Sequence, residues 1–237
     1  MKQIIFLFLT ICTLPITAQN VQYQKQDSVR VMRWLQNGCK QDKDQNMMLY
    51  FARQLKGIPY VAKTLEKNQK EKLVINTRQL DCTTYVENIL SLYLCHKNNK
   101  KRFEDYCNYL RYIRYRNGEV SYANRLHYFS LWMEDNVRMG YVHHIEEKNP
   151  PFSAKQKLDL HFMTTNTNLY PMIYNQPAVI NKIKKMEESL SGKEFLYIPK
   201  DSIENTELLR ETIKDGDIIA LLTRKKGLDT THIGIAV

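Results

Sequence analysis

The sequence is poor in the features that mark several common protein classes. Only 8 glycines and 7 prolines occur among 237 residues. No segment is repeated or of low complexity, which excludes collagen-like, solenoid and linker-dominated architectures. Beyond the N-terminus no apolar run is long enough to cross a bilayer, so stable membrane insertion is not expected. The cysteines lack the paired C-x-x-C clusters of a zinc site, and no two histidines have ligand spacing on a helix. His143 and His144 have only Glu146 and Glu147 nearby as acidic company. A metal hydrolase is therefore disfavoured, and neither metal nor other cofactor is expected.

What is present fits one globular α+β domain. Hydrophobic residues make up 43% and charged residues 25%, enough for a real core. The formal charge is +10, or +9 once Lys2 is removed with a leader. The basic residues are scattered, with small runs at 67–72 and 96–102 that read as solvated loops. No nucleic acid is expected as a partner; an exported protein of this charge meets anionic envelope polymers or carboxylate-bearing substrates.

Export is indicated by residues 1–18. Lys2 precedes an apolar stretch centred on Ile4–Leu9, then Pro15 and a cleavage position after Ala18, the layout of a signal peptide. A lipid anchor on Cys12 is disfavoured, because Ile11 is bulky and the apolar stretch short. The mature protein, residues 19–237, is expected in the periplasm or cell envelope. Its cysteines are Cys39, Cys82, Cys95 and Cys107. A Cys95–Cys107 bridge is conceivable in an oxidising compartment, whereas Cys82 is expected to be free.

Periodicity and turn signals give helices over 28–37, 44–56, 103–115, 124–138 and 177–190. "KLVIN", "EFLYIP", "GDIIALLT" and "THIGIAV" read as strands. The run "QLDCTTYVENILSLYLC" reads as a helix capped by Asp81, with Val86, Ile89, Leu90, Tyr93 and Leu94 at helical spacing. Cys82 then lies in the first turn, where the helix dipole favours a thiolate. The position suits a nucleophile; it equally suits a small residue that packs.

A thiolate nucleophile needs a base. His96 lies at the far end of the same helix, about 20 Å away at 1.5 Å per residue, and is excluded. In "THIGIAV" alternation puts His232, Gly234 and Ala236 on one face, and Ile233, Ile235 and Val237 on the other. The small residues beside His232 leave room for a helix N-terminus to approach. A strand histidine that simply meets solvent fits the pattern as well.

Taken together, "DCTTYVE" with Cys82, "DGDIIALL" around Gly216 and Asp217, and "HIGIAV" with His232 resemble, in order, the NlpC-type cell-wall cysteine hydrolases. "GIPYV" is similar to that superfamily's Gly-x-Pro-Tyr segment. "LDCTTYVE" and "SYANRLHYFSLWMEDN" look like its N-acetylmuramoyl-L-alanine amidase-like branch. The resemblance implies a papain-like core in which the nucleophile's helix packs on a small antiparallel sheet, with extra helices. It implies an amidase that cuts between N-acetylmuramic acid and the L-alanine of the stem peptide, acting on peptidoglycan or muropeptide fragments. Cys82 and His232 become the catalytic pair, Tyr60 a residue beside the nucleophile and oxyanion, and Tyr122, Arg125 and His127 substrate contacts. Packing alone also accounts for Tyr122 and His127. Two alternatives stay open: a stem-peptide endopeptidase of the same superfamily, or a non-catalytic wall-binding remnant. The remnant reading arises because the family has further strands after the histidine, one of them orienting it, which makes the core expected here C-terminally incomplete.

Overall fold

The computed structural model describes residues 21–145, 151–203 and 206–237; the leader inferred at 1–18 lies outside them. Helix α1 (Lys25–Gly38) starts where the Gln24 N–H donates to the Asp27 carboxylate at 2.8 Å, satisfying a free end of the chain. Val31, Trp34, Leu35 and Gly38 recur on its buried face, the one-sided spacing of an amphipathic helix. Helix α2 (Met47–Gln54) begins later than its sequence pattern suggests, because the Asn46 side chain accepts the Leu49 N–H and caps it. The two helices close on each other at Gly38, where a Cβ would come within 2.8 Å of the Phe51 ring.

Helix α3 (Cys82–Lys97) is the spine of the molecule. Ile89, Leu92 and Cys95 face one apolar cluster with α1, α2 and helix α4 (Phe103–Arg114). Val86, Leu90 and Leu94 face a second, shared with helix α5 (Phe129–Arg138) and helix α6 (Pro177–Leu190). Burial on both sides explains why α3 is apolar nearly all round. Each fully buried leucine or isoleucine contributes roughly 1.5–3 kcal/mol, so α3 is held far more firmly than the loops that surround its first turn.

The helix expected over 124–138 begins only at Phe129. Before it, Tyr122–Asn124 form a short 3₁₀ turn. The chain then runs extended, because the Leu126 N–H is taken by the Arg114 carbonyl at 2.9 Å. The strands also depart from expectation. Among the described residues they form three separate two-stranded ladders rather than one small sheet. Strands β1 (Val21–Gln22) and β2 (Leu73–Val74) pair in parallel; β3 (Ala154–Lys157) and β4 (Glu194–Tyr197) pair antiparallel, as do β5 (Ile218–Leu222) and β6 (Thr230–Ile235). Among the described residues the last ladder packs most extensively on α3. The α+β class therefore stands, with its sheet broken into pieces by the intervening helices. All four cysteines of the described chain are free thiols, so Cys95 and Cys107 form no bridge.

Candidate active site

The first turn of α3 is shaped by a reciprocal cap. The Asp81 carboxylate accepts the Thr84 N–H at 2.8 Å and the Thr84 hydroxyl at 2.7 Å, while the Thr84 oxygen accepts the Asp81 N–H at 2.9 Å. These bonds serve Thr84 and Asp81; the Cys82 N–H, at the first helical position, has no partner within the helix. Cys82 itself is half-buried, its Sγ 4.0 Å from the Thr83 hydroxyl.

Tyr60 reaches this turn through backbone pairing. The Leu80 N–H donates to the Pro59 carbonyl at 3.1 Å, and the Val61 N–H donates to the Leu80 carbonyl at 2.9 Å. Tyr60 is thereby bridged to Leu80, two residues before Cys82, with its side chain 66% exposed. Burial pushes the Tyr60 phenol up, and the adjoining Cys82 thiolate and Asp81 carboxylate push it further. The hydroxyl accordingly remains a proton donor where a thiolate forms.

His232 arrives on β6, opposite Leu221 of β5. The expected alternation holds where it matters most: Ile233 is buried in the core and His232 is exposed. Cys82 and His232 line one cleft of about 120 Å³, together with His127, Phe129, Trp132 and Asp229. Phe129 and Trp132 stack at 5.6 Å and form an apolar wall on α5.

Asp229 escaped the sequence reading. It is buried, and its Oδ2 accepts the Ser130 N–H at 2.7 Å and the Ser130 hydroxyl at 2.8 Å. Its partner lies 99 residues away, so no local pattern could have signalled it. A carboxylate held against the first turn of α5 is also favoured by the helix dipole.

The three residues of the aromatic segment divide. His127 lines the cleft, and its Nε2–H donates to the Tyr122 carbonyl at 2.8 Å. Burial, with Arg125 adding to it, lowers the His127 pKa to about 3; the ring is neutral at ordinary pH. Tyr122 is buried, its ring 4.5 Å from that of His127. Arg125 is buried over the Tyr122 ring and pairs with Glu66 at 2.7 Å and Glu71 at 3.5 Å. The guanidinium expected to meet a substrate carboxylate is thus already engaged by two of the protein's own. It lies over the Tyr122 ring, whose other neighbour is His127.

Comparison with known proteins shows the family. The family described as AmiA-like, N-acetylmuramoyl-L-alanine amidase-like, matches residues 50–237. An N-acetylmuramoyl-L-alanine amidase from Bacteroides uniformis is 38% identical with a TM-score of 0.74, covering 85% of this chain and 80% of that one. A Bacteroides fragilis protein given the provisional description of a xylanase is 41% identical with a TM-score of 0.73, covering 80% of this chain and 81% of that one. A Legionella pneumophila protein at 18% identity and a TM-score of 0.59, covering 90% of this chain and 80% of that one, shares the fold. No curated protein matches the chain significantly. Glycoside cleavage normally requires two carboxyl groups flanking the bond. Asp229 is the one carboxylate lining the cleft among the described residues, and Ser130 occupies it. The chain belongs to the N-acetylmuramoyl-L-alanine amidase-like family of cell-wall hydrolases.

Proposed function

We propose that the protein hydrolyses the amide joining the lactyl group of N-acetylmuramic acid to the L-alanine of the stem peptide. Cys82 is the nucleophile and His232 the acid and base. The observation that carries this reading is that Cys82, at the start of α3, and His232, on β6, line the same cleft. A helix bearing the nucleophile packed against the histidine strand is also the arrangement implied by the NlpC-type resemblance.

The Cys82 thiolate attacks the amide carbonyl, forming the C–S bond and an oxyanion. The Cys82 N–H and the Tyr60 hydroxyl are the donors placed to receive that oxyanion. Protonated His232 gives its proton to the amide nitrogen as the C–N bond breaks, releasing the stem peptide with a free α-amine. His232 then takes a proton from water, and the hydroxide attacks the thioester. The C–S bond breaks, leaving the lactyl carboxylate and the thiolate. His127, neutral and donating to Tyr122, is unsuited to that proton transfer; it shapes the cleft wall beside the apolar Phe129–Trp132 surface.

Export after loss of residues 1–18 places the protein beside its polymer, and the leader-like composition of that segment supports this location. Mass spectrometry of digested muropeptides tests the bond assignment. Peptide-free sugars and intact stem peptides are expected. Sugars still carrying an alanyl-glutamyl dipeptide would instead identify a stem endopeptidase, and an undigested sample a wall-binding protein without activity.

A further inference from the structure

A second concavity, about 390 Å³, lies between α1 and the turn after α2, lined by Arg30, Arg33, Lys56, Arg78, Trp34 and Pro59 among others. No acidic side chain lines it. Arg78 is steadied from behind by buried Asp27 at 3.2 Å, and Arg30 donates to the Thr77 carbonyl. Arg33 and Lys56 are exposed and have no ionic partner among the described residues. Four cations around a concave surface, against one buried carboxylate, make an anion site. The planar forks of three arginines suit carboxylates in particular.

Two chain segments connect this groove to the nucleophile. Pro59 lines the groove, and Tyr60, the next residue, stands beside Cys82. Arg78 lines it too, and four residues of chain span at most about 14 Å to Cys82. A peptide whose first amide lies at Cys82 extends about 3.5 Å per residue, so its second to fourth residues reach the basic groove.

We infer that this groove binds the carboxylates of the stem peptide beyond its L-alanine, and so sets a preference for stems with free rather than amidated acids. This rests on the amidase reading for the identity of the peptide. It also supplies the carboxylate recognition that Arg125, occupied by Glu66 and Glu71, does not provide.

Calorimetry on the mature chain carrying Cys82→Ala, which cannot turn over, tests the groove without activity. The probes are the alanyl-glutamyl-diamino acid tripeptide and its amidated form. Amidation, or Arg33→Gln combined with Lys56→Gln, is expected to weaken binding about tenfold, with stronger dependence on salt in the unmodified pair. Lys101→Gln, beyond the far end of α3, serves as a charge control and leaves the affinity unchanged. Equal affinities for the two peptides, or for the double variant, overturn the groove assignment. Muropeptide digestion by the wild-type protein reports separately. Peptide binding that depends on the groove, without release of peptide-free sugar, keeps the groove and sinks the amidase. Cleavage with a KM indifferent to Arg33 and Lys56 does the reverse.

Discussion

Asp229 Oδ2 accepts both the backbone N–H of Ser130 at 2.7 Å and its hydroxyl at 2.8 Å, and this pair of bonds fastens α5 to the strand that carries His232. Asp229 Oδ1 meanwhile accepts the Thr230 N–H at 2.7 Å, so one carboxylate holds the start of β6 and the start of α5 in fixed relation. The cleft between Cys82, Trp132 and His232 depends on that relation.

Asp229→Ala is expected to be strongly damaging. It leaves the buried Ser130 N–H and hydroxyl without an acceptor, a cost of about 1–3 kcal/mol per group. Urea unfolding should show the midpoint falling. Asp229→Asn keeps one acceptor oxygen and should lose less stability while still lowering kcat. A full kcat in folded Asp229→Asn would show that the carboxylate's charge is irrelevant to the cleft.

The four cysteines should separate by reactivity. Burial pushes the thiols of Cys95 and Cys107 up to about 12, so both stay protonated and inert near neutrality. Cys39 is exposed just past the end of α1, whereas Cys82 lines the cleft that also holds His232. Peptide mapping after brief alkylation at mildly acidic pH should find Cys82 labelled first, Cys39 later, and the buried pair only on unfolding. Cys82→Ala should abolish hydrolysis without lowering thermal stability by more than about 1 kcal/mol, since the side chain is half-buried. Equal labelling of Cys39 and Cys82 would remove the case for the nucleophile.

His127 predicts a pH dependence with a definite sign. Its folded-state pKa, about 3, lies below the ordinary imidazole value of 6.5. The unfolded chain therefore binds a proton that the native state does not accept between these values. Stability is complete above about pH 6.5 and falls as pH drops toward 3, by up to about 1.4 kcal/mol per unit. Unfolding measured at pH 7 and pH 5 should show wild type losing up to about 2 kcal/mol more than His127→Gln. An identical loss in both proteins would assign the acid sensitivity elsewhere.

The buried pairs behind the site should fail when broken one-sidedly. Arg125 serves Glu66 and Glu71, and Arg114 meets Glu87 at 2.8 Å with both side chains buried. Removing the cation strands carboxylates in a poor solvent, so Arg114→Leu or Arg125→Leu should cost about 3–5 kcal/mol. Chemical denaturation checks this. If Arg125→Leu folds with wild-type stability yet loses substrate affinity, the guanidinium meets substrate after all.

The parts legible in the sequence are those written by local rules. The α3 start at Asp81, one apolar face of that helix and the alternation of His232 with Ile233 follow from periods of 3.6 and 2 within a few residues; burial of its second face does not. Helix α6 is likewise legible, from its period and the turn signal at Gly192. What escaped is written by distant partners. Asp229 and Ser130 meet across 99 residues, and Arg125 finds Glu66 across 59. A charged side chain shows no counter-ion in sequence until the fold supplies it, and Arg125 meets two, Glu66 and Glu71. The division of the strands into three ladders escaped for the same reason, because register and partner are set by packing rather than by strand composition.

Tyr60 offers the sharpest test of the oxyanion arrangement. Its side chain is 66% exposed, so Tyr60→Phe removes a hydroxyl with almost no loss of packing, and thermal unfolding should be unchanged. The backbone pairing that delivers residue 60 uses Pro59, Val61 and Leu80, none of which the substitution touches. The phenol's raised pKa keeps it protonated near neutrality, so it stays a donor. A donor that meets the oxygen mainly once negative charge has developed should affect kcat and leave KM nearly constant. Loss of one such donor typically costs 10²–10³ in rate in an enclosed site; at this exposed position water partly replaces it, so a fall of about ten- to a hundredfold is expected. Tyr60→Phe with unchanged kcat would leave the Cys82 N–H to act with another donor. A raised KM at constant kcat would instead place the hydroxyl on the bound substrate, away from the reacting carbonyl.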